Sequence, residues 1–108
     1  MSSRNVKNNP FKDMMEEAIG SLKNRELENA DKQIAILISM DIDAPEPHNL
    51  FGILLELRGD GDSARKHYRA AYALDPTYRP ASRNLERLVL GSQNHGIDFG
   101  SIESEIIR

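Results

Sequence analysis

The sequence predicts an all-α protein built from repeating helix pairs. Three observations carry this reading. Apolar residues recur at helical spacing in five segments, Pro, Gly and Asp punctuate the gaps, and small side chains return 34 residues apart. No segment shows a sustained strand pattern. The apolar run at residues 34–38 would fit a buried strand alone, but its long helix-favouring flanks assign it to a helix.

Residues 1–9 are rich in Ser and Asn and read as a disordered lead-in. Pro10 suits a helix start, where its missing N–H costs nothing. The first helix is expected over about 11–23, with Phe11, Met14, Met15, Ala18, Ile19 and Leu22 at helical spacing. Asn24 and Arg25 connect it to a second helix over about 26–40, carrying Leu27, Ala30, Ile34, Leu37 and Ile38 on one side. A break at 41–44 precedes Pro45 and Pro47, which open a third helix running to about Leu57. Arg58-Gly59-Asp60-Gly61 is a turn signal, and Asp60 or Asp62 is placed to cap the fourth helix, expected over 62–74. Asp75-Pro76 ends that helix. A fifth starts at Arg79 or Pro80 and ends near Gly91.

The chain has 108 residues, enough for one domain, expected at residues 10–91, with 92–108 as a flexible linker and an apolar tail. Hydrophobic residues make up 39% and charged residues 29%, a mixture that folds rather than stays disordered. Net charge is −3 but uneven. Between Arg58 and Leu90 seven basic residues face four acids, a local +3, so the rest carries −6. Neither nucleic acid nor a membrane surface is an expected partner. The absence of Cys excludes disulfides, thiolate chemistry and Cys-bound metals. No apolar run approaches the ~18 residues of a membrane span. Residues 1–10 lack the apolar core of a signal peptide, so the expected compartment is the cytoplasm.

The helix pairs recur. Ala64 lies 34 residues after Ala30, Tyr68 after Ile34, Ala71 after Leu37, Asp75 after Asp41, and Gly52 after Ala18. The second unit, residues 45–78, is dense in small and punctuating residues: Gly52, Gly59-Asp60, Ala64, Tyr68, Ala71 and Leu74-Asp75-Pro76. In type and spacing these resemble the tetratricopeptide repeat (TPR) signature. His48 stands where that family has an early aromatic, and Phe51 where it has Leu before the Gly. The first unit, residues 11–44, keeps Ala18 and Ala30 but lacks the Gly-Asp turn and the closing Pro. The resemblance implies a right-handed α-solenoid of antiparallel helix pairs, two such units plus the fifth helix as a cap. Gly52 inside a helix costs about 1 kcal/mol relative to Ala. Close approach of the paired helix near Ala64 is the expected reason for it. Tyr68 is expected to fill the space between layers, Ala71 to let the next helix come close, and Pro76 to set the angle into it.

The resemblance also implies a concave groove lined by the first helix of each unit, where a peptide binds. Carried over by position, that groove comprises Met15, Ile19 and Leu22, then Asn49, Ile53 and Glu56, then Arg83 and Arg87. It is apolar at one end and basic at the other, suited to a segment with a hydrophobic anchor and a carboxylate. Asn49 is placed to bond a ligand backbone. One subfamily clamps terminal carboxylates through Lys, Asn and Arg, but Met15, Ile19 and Leu50 stand where polar clamp residues belong, and only Arg83 and Asn84 fall near the right area.

Other motifs carry little chemistry. Asp60-Gly61-Asp62-Ser63 lacks the ligand ladder and distal Glu of a calcium loop. His48, His67 and His95 lack metal spacing and read as surface or packing residues. Asp62, Ser63 and His67 share a helical turn, which does not build a catalytic triad. Arg79, Arg83 and Arg87 recur every four residues as a basic ridge, without the aromatics that stack nucleic-acid bases. The expectation is therefore a protein-binding adaptor or assembly factor, with no catalysis, cofactor or metal. The alternative is a structural protein, a homodimer through its repeat ends or its tail. In that tail Phe99, Ile102 and Ile106 would share a face if the segment were helical. Three placements stay open: a cap on helix five, self-occupation of the groove with Glu103 or Glu105 meeting Arg83 and Arg87, or docking to a partner or second copy.

Overall fold

A computed structural model describes residues 9–91 and 96–100. It contains five helices: α1 (Pro10–Lys23), α2 (Leu27–Met40), α3 (Glu46–Leu57), α4 (Gly61–Leu74) and α5 (Arg79–Leu90). No strand occurs among the described residues. The expected boundaries hold to within a residue or so because each end has a local chemical cause. Asn9, placed in the expected lead-in, caps α1 by accepting from the Lys12 amide at 3.0 Å. Asp60 rather than Asp62 caps α4, accepting from the Ser63 amide at 3.1 Å, and this bond holds its carboxyl below the ordinary range. The expected lead-in over residues 1–8 and the linker at 92–95 lie outside the described residues.

The two helix pairs repeat in backbone as well as in sequence. α1 ends at Lys23 and α3 at Leu57, while α2 ends at Met40 and α4 at Leu74, in each case 34 residues apart. The turns repeat too. After α3, Gly59 sits at φ 86° and donates to the Glu56 carbonyl, while Asp60 donates to the Leu55 carbonyl, both at 2.9 Å. This pair of bonds closes a helix end around one left-handed residue. After α1 the same two bonds form: Arg25 to Leu22 at 3.1 Å and Glu26 to Ser21 at 2.8 Å. Here Arg25 takes the left-handed conformation at φ 62°. The first unit thus lacks the Gly-Asp sequence yet keeps its turn. The ends of α2 and α4 match as well. Asp41 and Asp75 share φ −154° with ψ 95° and 96°, and their carboxylates accept from the amides of Asp43 and Thr77.

Connections of three to five residues fold each helix back onto its neighbour. Consecutive helices pack together, and α1 also meets α3, as α3 meets α5. Among the described residues α2 and α4 do not touch. The odd-numbered helices therefore form one layer and the even-numbered ones another. The core between them is aliphatic, with Leu22, Leu37, Leu50, Ile53 and Leu54 fully buried and Ala18, Ala30, Ala64 and Ala71 allowing close approach.

Gly52 faces the paired helix. A Cβ there would lie 2.5 Å from Cε1 and 2.7 Å from Cδ1 of Tyr68, one turn along α4 from Ala64. The Tyr68 ring lies close enough to the α3 backbone to need a side-chain-free position. His48 and His67 stack with centroids 6.2 Å apart, and Phe51 meets His67 edge-on at 4.3 Å. This cluster fills the α3–α4 face. Burial lowers the pKa of both imidazoles, so the pair packs in its neutral form.

Two substitutions check these causes. Gly52→Ala drives a methyl into the Tyr68 ring and is expected to cost about 1–3 kcal/mol in urea unfolding. Arg25→Gly is expected to stabilise. It removes a left-handed penalty of about 1–2 kcal/mol, partly offset by the roughly 0.5–1 kcal/mol entropy cost of Gly. The midpoint of thermal unfolding should rise by a few degrees.

Candidate functional site

The odd-numbered layer carries a polar floor that the core does not need for packing. Asn49 on α3 and Asn84 on α5 are both 0% exposed. Buried amides are costly unless bonded, and here they bond to each other: Asn84 Nδ2 donates to Asn49 Oδ1 at 2.8 Å. Their remaining capacity is used by a segment that returns from beyond α5. Asn84 Oδ1 accepts from the Asp98 amide at 2.9 Å, and Asn84 Nδ2 donates to the Asp98 carbonyl at 2.9 Å. Asn49 Nδ2 donates to the same carbonyl at 3.1 Å. The Asn84 carboxamide thus meets both main-chain groups of one residue, as a neighbouring peptide unit would.

The side chains of the segment find complementary partners. The Asp98 carboxylate accepts from Arg83 Nη1 at 3.0 Å through one oxygen and from the Gly100 amide at 2.9 Å through the other. Lys23 Nζ at the end of α1 lies 5.2 Å from the centre of the Phe99 ring, within cation–π range. Ile97 and Phe99 pack against the central apolar cluster. Gly100 sits at φ 74°, and a Cβ there would overlap the Tyr78 hydroxyl and lie 3.4 Å from Pro80 Cγ.

Behind this floor lies a second polar layer. Tyr68 donates through its hydroxyl to Glu56 Oε1 at 2.6 Å. Arg87 grips Glu56 with two nitrogens, Nη2 at 2.9 Å from Oε1 and Nη1 on Oε2, and Nη2 also donates to Asn84 Oδ1 at 3.2 Å. The Arg87 and Glu56 side chains are only 12% and 14% exposed. Hydrogen bonds to Glu56 hold the Arg87 guanidinium above its ordinary pKa, and burial followed by the same carboxylate pushes the Tyr68 hydroxyl up. Arg has no acceptor, so Arg87 can face only the oxygen of the Asn84 amide. That contact orients the amide towards the Asp98 main chain.

The residues expected to line a groove fall into three groups. Asn49 and Arg83 touch the returning segment directly. Met15, Ile19, Leu22 and Ile53 are buried, with the segment in place, in the cluster on which Ile97 and Phe99 rest. Glu56 and Arg87 face each other and support Asn84, so the basic ridge of Arg79, Arg83 and Arg87 is divided: Arg83 reaches the segment while Arg87 is held from behind. Residues 97–100 lie against α5 through Arg83 and Asn84, and also against Asn49 of α3 and Lys23 of α1. The acid that meets Arg83 is Asp98; Glu103 and Glu105 lie outside the described residues. Phe99 is not helical, and Ile102 and Ile106 are also outside them, so the helical face does not form at Phe99. The sequence reading passed over Lys23, Tyr78 and the central role of Asn84. An Asn in mid-helix one residue after a groove Arg was the available signal for the last.

Among the described residues no three His, Asp or Glu side chains gather to hold a metal, and no helix is long and apolar enough to cross a membrane. Magnitudes separate the two kinds of contact to Asp98. Asn84→Ala strands the Asn49 oxygen and the Asp98 amide, leaves the Asp98 carbonyl with Asn49 alone, and is expected to cost about 1–3 kcal/mol. The Arg83 side chain is 53% exposed, so Arg83→Ala should cost at most about 1 kcal/mol. Urea unfolding of the two variants measures the difference. No known family model matches this chain, and no curated protein or solved structure shows significant similarity to it.

Proposed function

We propose that this protein is a peptide-binding module, a short TPR-type array whose odd-numbered helices form the binding face, working as an adaptor or assembly factor rather than as an enzyme. One observation carries this reading: a buried side-chain amide, oriented by an arginine behind it, pairs with both main-chain groups of a non-helical segment lying across α1, α3 and α5. Recognition through the main chain accepts any polypeptide that can adopt the required backbone, and the flanking Arg83, Lys23 and apolar cluster then select among side chains. The 34-residue recurrence of helix ends and turn bonds supports the repeat-array part of the reading.

The fold alone would not assign this role; the built polar floor is what supports it. The test uses the full chain with its own segment unseated by Asp98→Lys and Phe99→Ala. This variant is screened against a displayed library of random nine-residue peptides. The expected outcome is a recurring peptide class whose binding is lost when Asn84→Ala is added. A library that yields no enriched peptide, from a variant whose circular dichroism remains helical, would remove the proposal.

A further inference from the structure

Residues 97–100, Ile-Asp-Phe-Gly, are met by a distinct feature at each position, and this makes them more informative than a general cap. The apolar cluster receives Ile97 and Phe99, Arg83 pairs with Asp98, Lys23 lies over the Phe99 ring, and the Tyr78 and Pro80 side chains leave no room for a Cβ at Gly100. Gly100 is also held at a positive φ that other residues adopt only at a cost. A cap on α5 would need apolar contact alone. The two buried Asn side chains and the demand for Gly add selectivity that simple covering does not require.

Resting on the reading above, we infer that the groove is specific for the pattern apolar-Asp-aromatic-Gly, and that residues 97–100 are an intramolecular competitor holding the site closed against a partner protein that carries the same pattern. The seat is small, and the Arg83 half of its ion pair is 53% exposed, which weakens that pair. Attachment to the same chain compensates by presenting the segment at an effective concentration on the order of millimolar. A partner displaces it when its own pattern is presented at comparable effective concentration, for example as several copies. The site is thereby tuned to ignore isolated weak matches.

The experiment uses a fluorescein-labelled peptide Gly-Ile-Asp-Phe-Gly-Ser, the sequence of residues 96–101, read by anisotropy. It is titrated into the full wild-type chain, into the full-length variant Asp98→Lys/Phe99→Ala, and into the milder Gly100→Ala, which keeps the test alive if the double variant loses its fold. The expected result is about ten-fold or tighter binding to the variants than to wild type. Replacing Gly by Ala or Asp by Lys in the peptide should weaken that binding about ten-fold. Adding Arg83→Glu to the variant chain should reverse the preference towards the Lys-bearing peptide. Equal binding of all three peptides, or no gain over wild type in either variant, overturns the inference. A library class lacking Asp and Gly would overturn it while leaving the peptide-binding reading standing. A wild-type chain that runs as a dimer by light scattering, and as a monomer in the variants, would assign the segment to a second copy and overturn the intramolecular version.

Discussion

The contact on which the rest of the site depends is the one between Arg87 and the Asn84 carboxamide. An amide side chain can turn either way, and in the wrong sense Asn84 would present a donor to the Asp98 amide and an acceptor to its carbonyl. Arg87 has only donors and is fixed by two bonds to Glu56, so it admits only the orientation with Oδ1 towards itself. Glu56 is fixed in turn by Tyr68, and Tyr68 is fixed by the absence of a side chain at Gly52. A single relay therefore runs from a packing decision inside the α3–α4 pair to the amide that pairs with the Asp98 main chain.

This relay explains residue types that look redundant in isolation. A glycine in mid-helix weakens α3, and a buried charge pair is rarely the cheapest way to fill space. Together they connect three helices through α3, join the central unit to α5, and fix a polar floor with every amide group engaged. A partly bonded network in the same place would be worse than an apolar one. Residues 97–100 complete it, because without a main chain in the seat Asn49 Nδ2 would lose its partner and Asn84 would keep only Asn49 and Arg87.

Much of the fold was legible because its boundaries are written in residues with strong local preferences: Pro10, Gly59-Asp60 and Asp75-Pro76. The turn after α1 was placed at Asn24 and Arg25, but its closing geometry was not legible, because Arg25 occupies a backbone conformation that sequence assigns to Gly. Gly52 was recognised as a close-approach position for the paired helix, but the Tyr68 ring that makes the approach was not singled out as its neighbour. At the site, Asn49 and Arg83 were legible from their positions on α3 and α5. Arg87 was legible as a charge but not as a support, since its partner Glu56 lies 31 residues away and only packing brings them together. The acid that meets Arg83 was sought among Glu103 and Glu105. Asp98 meets it instead, because the register of a non-helical segment is set by main-chain bonds that no periodicity records.

Hydrogen exchange at one amide tests the central claim most directly. The Asp98 N–H donates to Asn84 Oδ1, in a segment without helical bonding to slow its exchange. In the wild-type chain this amide is expected to exchange well below its unstructured rate, by about ten-fold or more, and to lose that protection in Asn84→Ala while α3 and α4 keep theirs. An Asp98 amide that exchanges at the unstructured rate in the wild-type chain, or is equally protected without Asn84, would contradict the account.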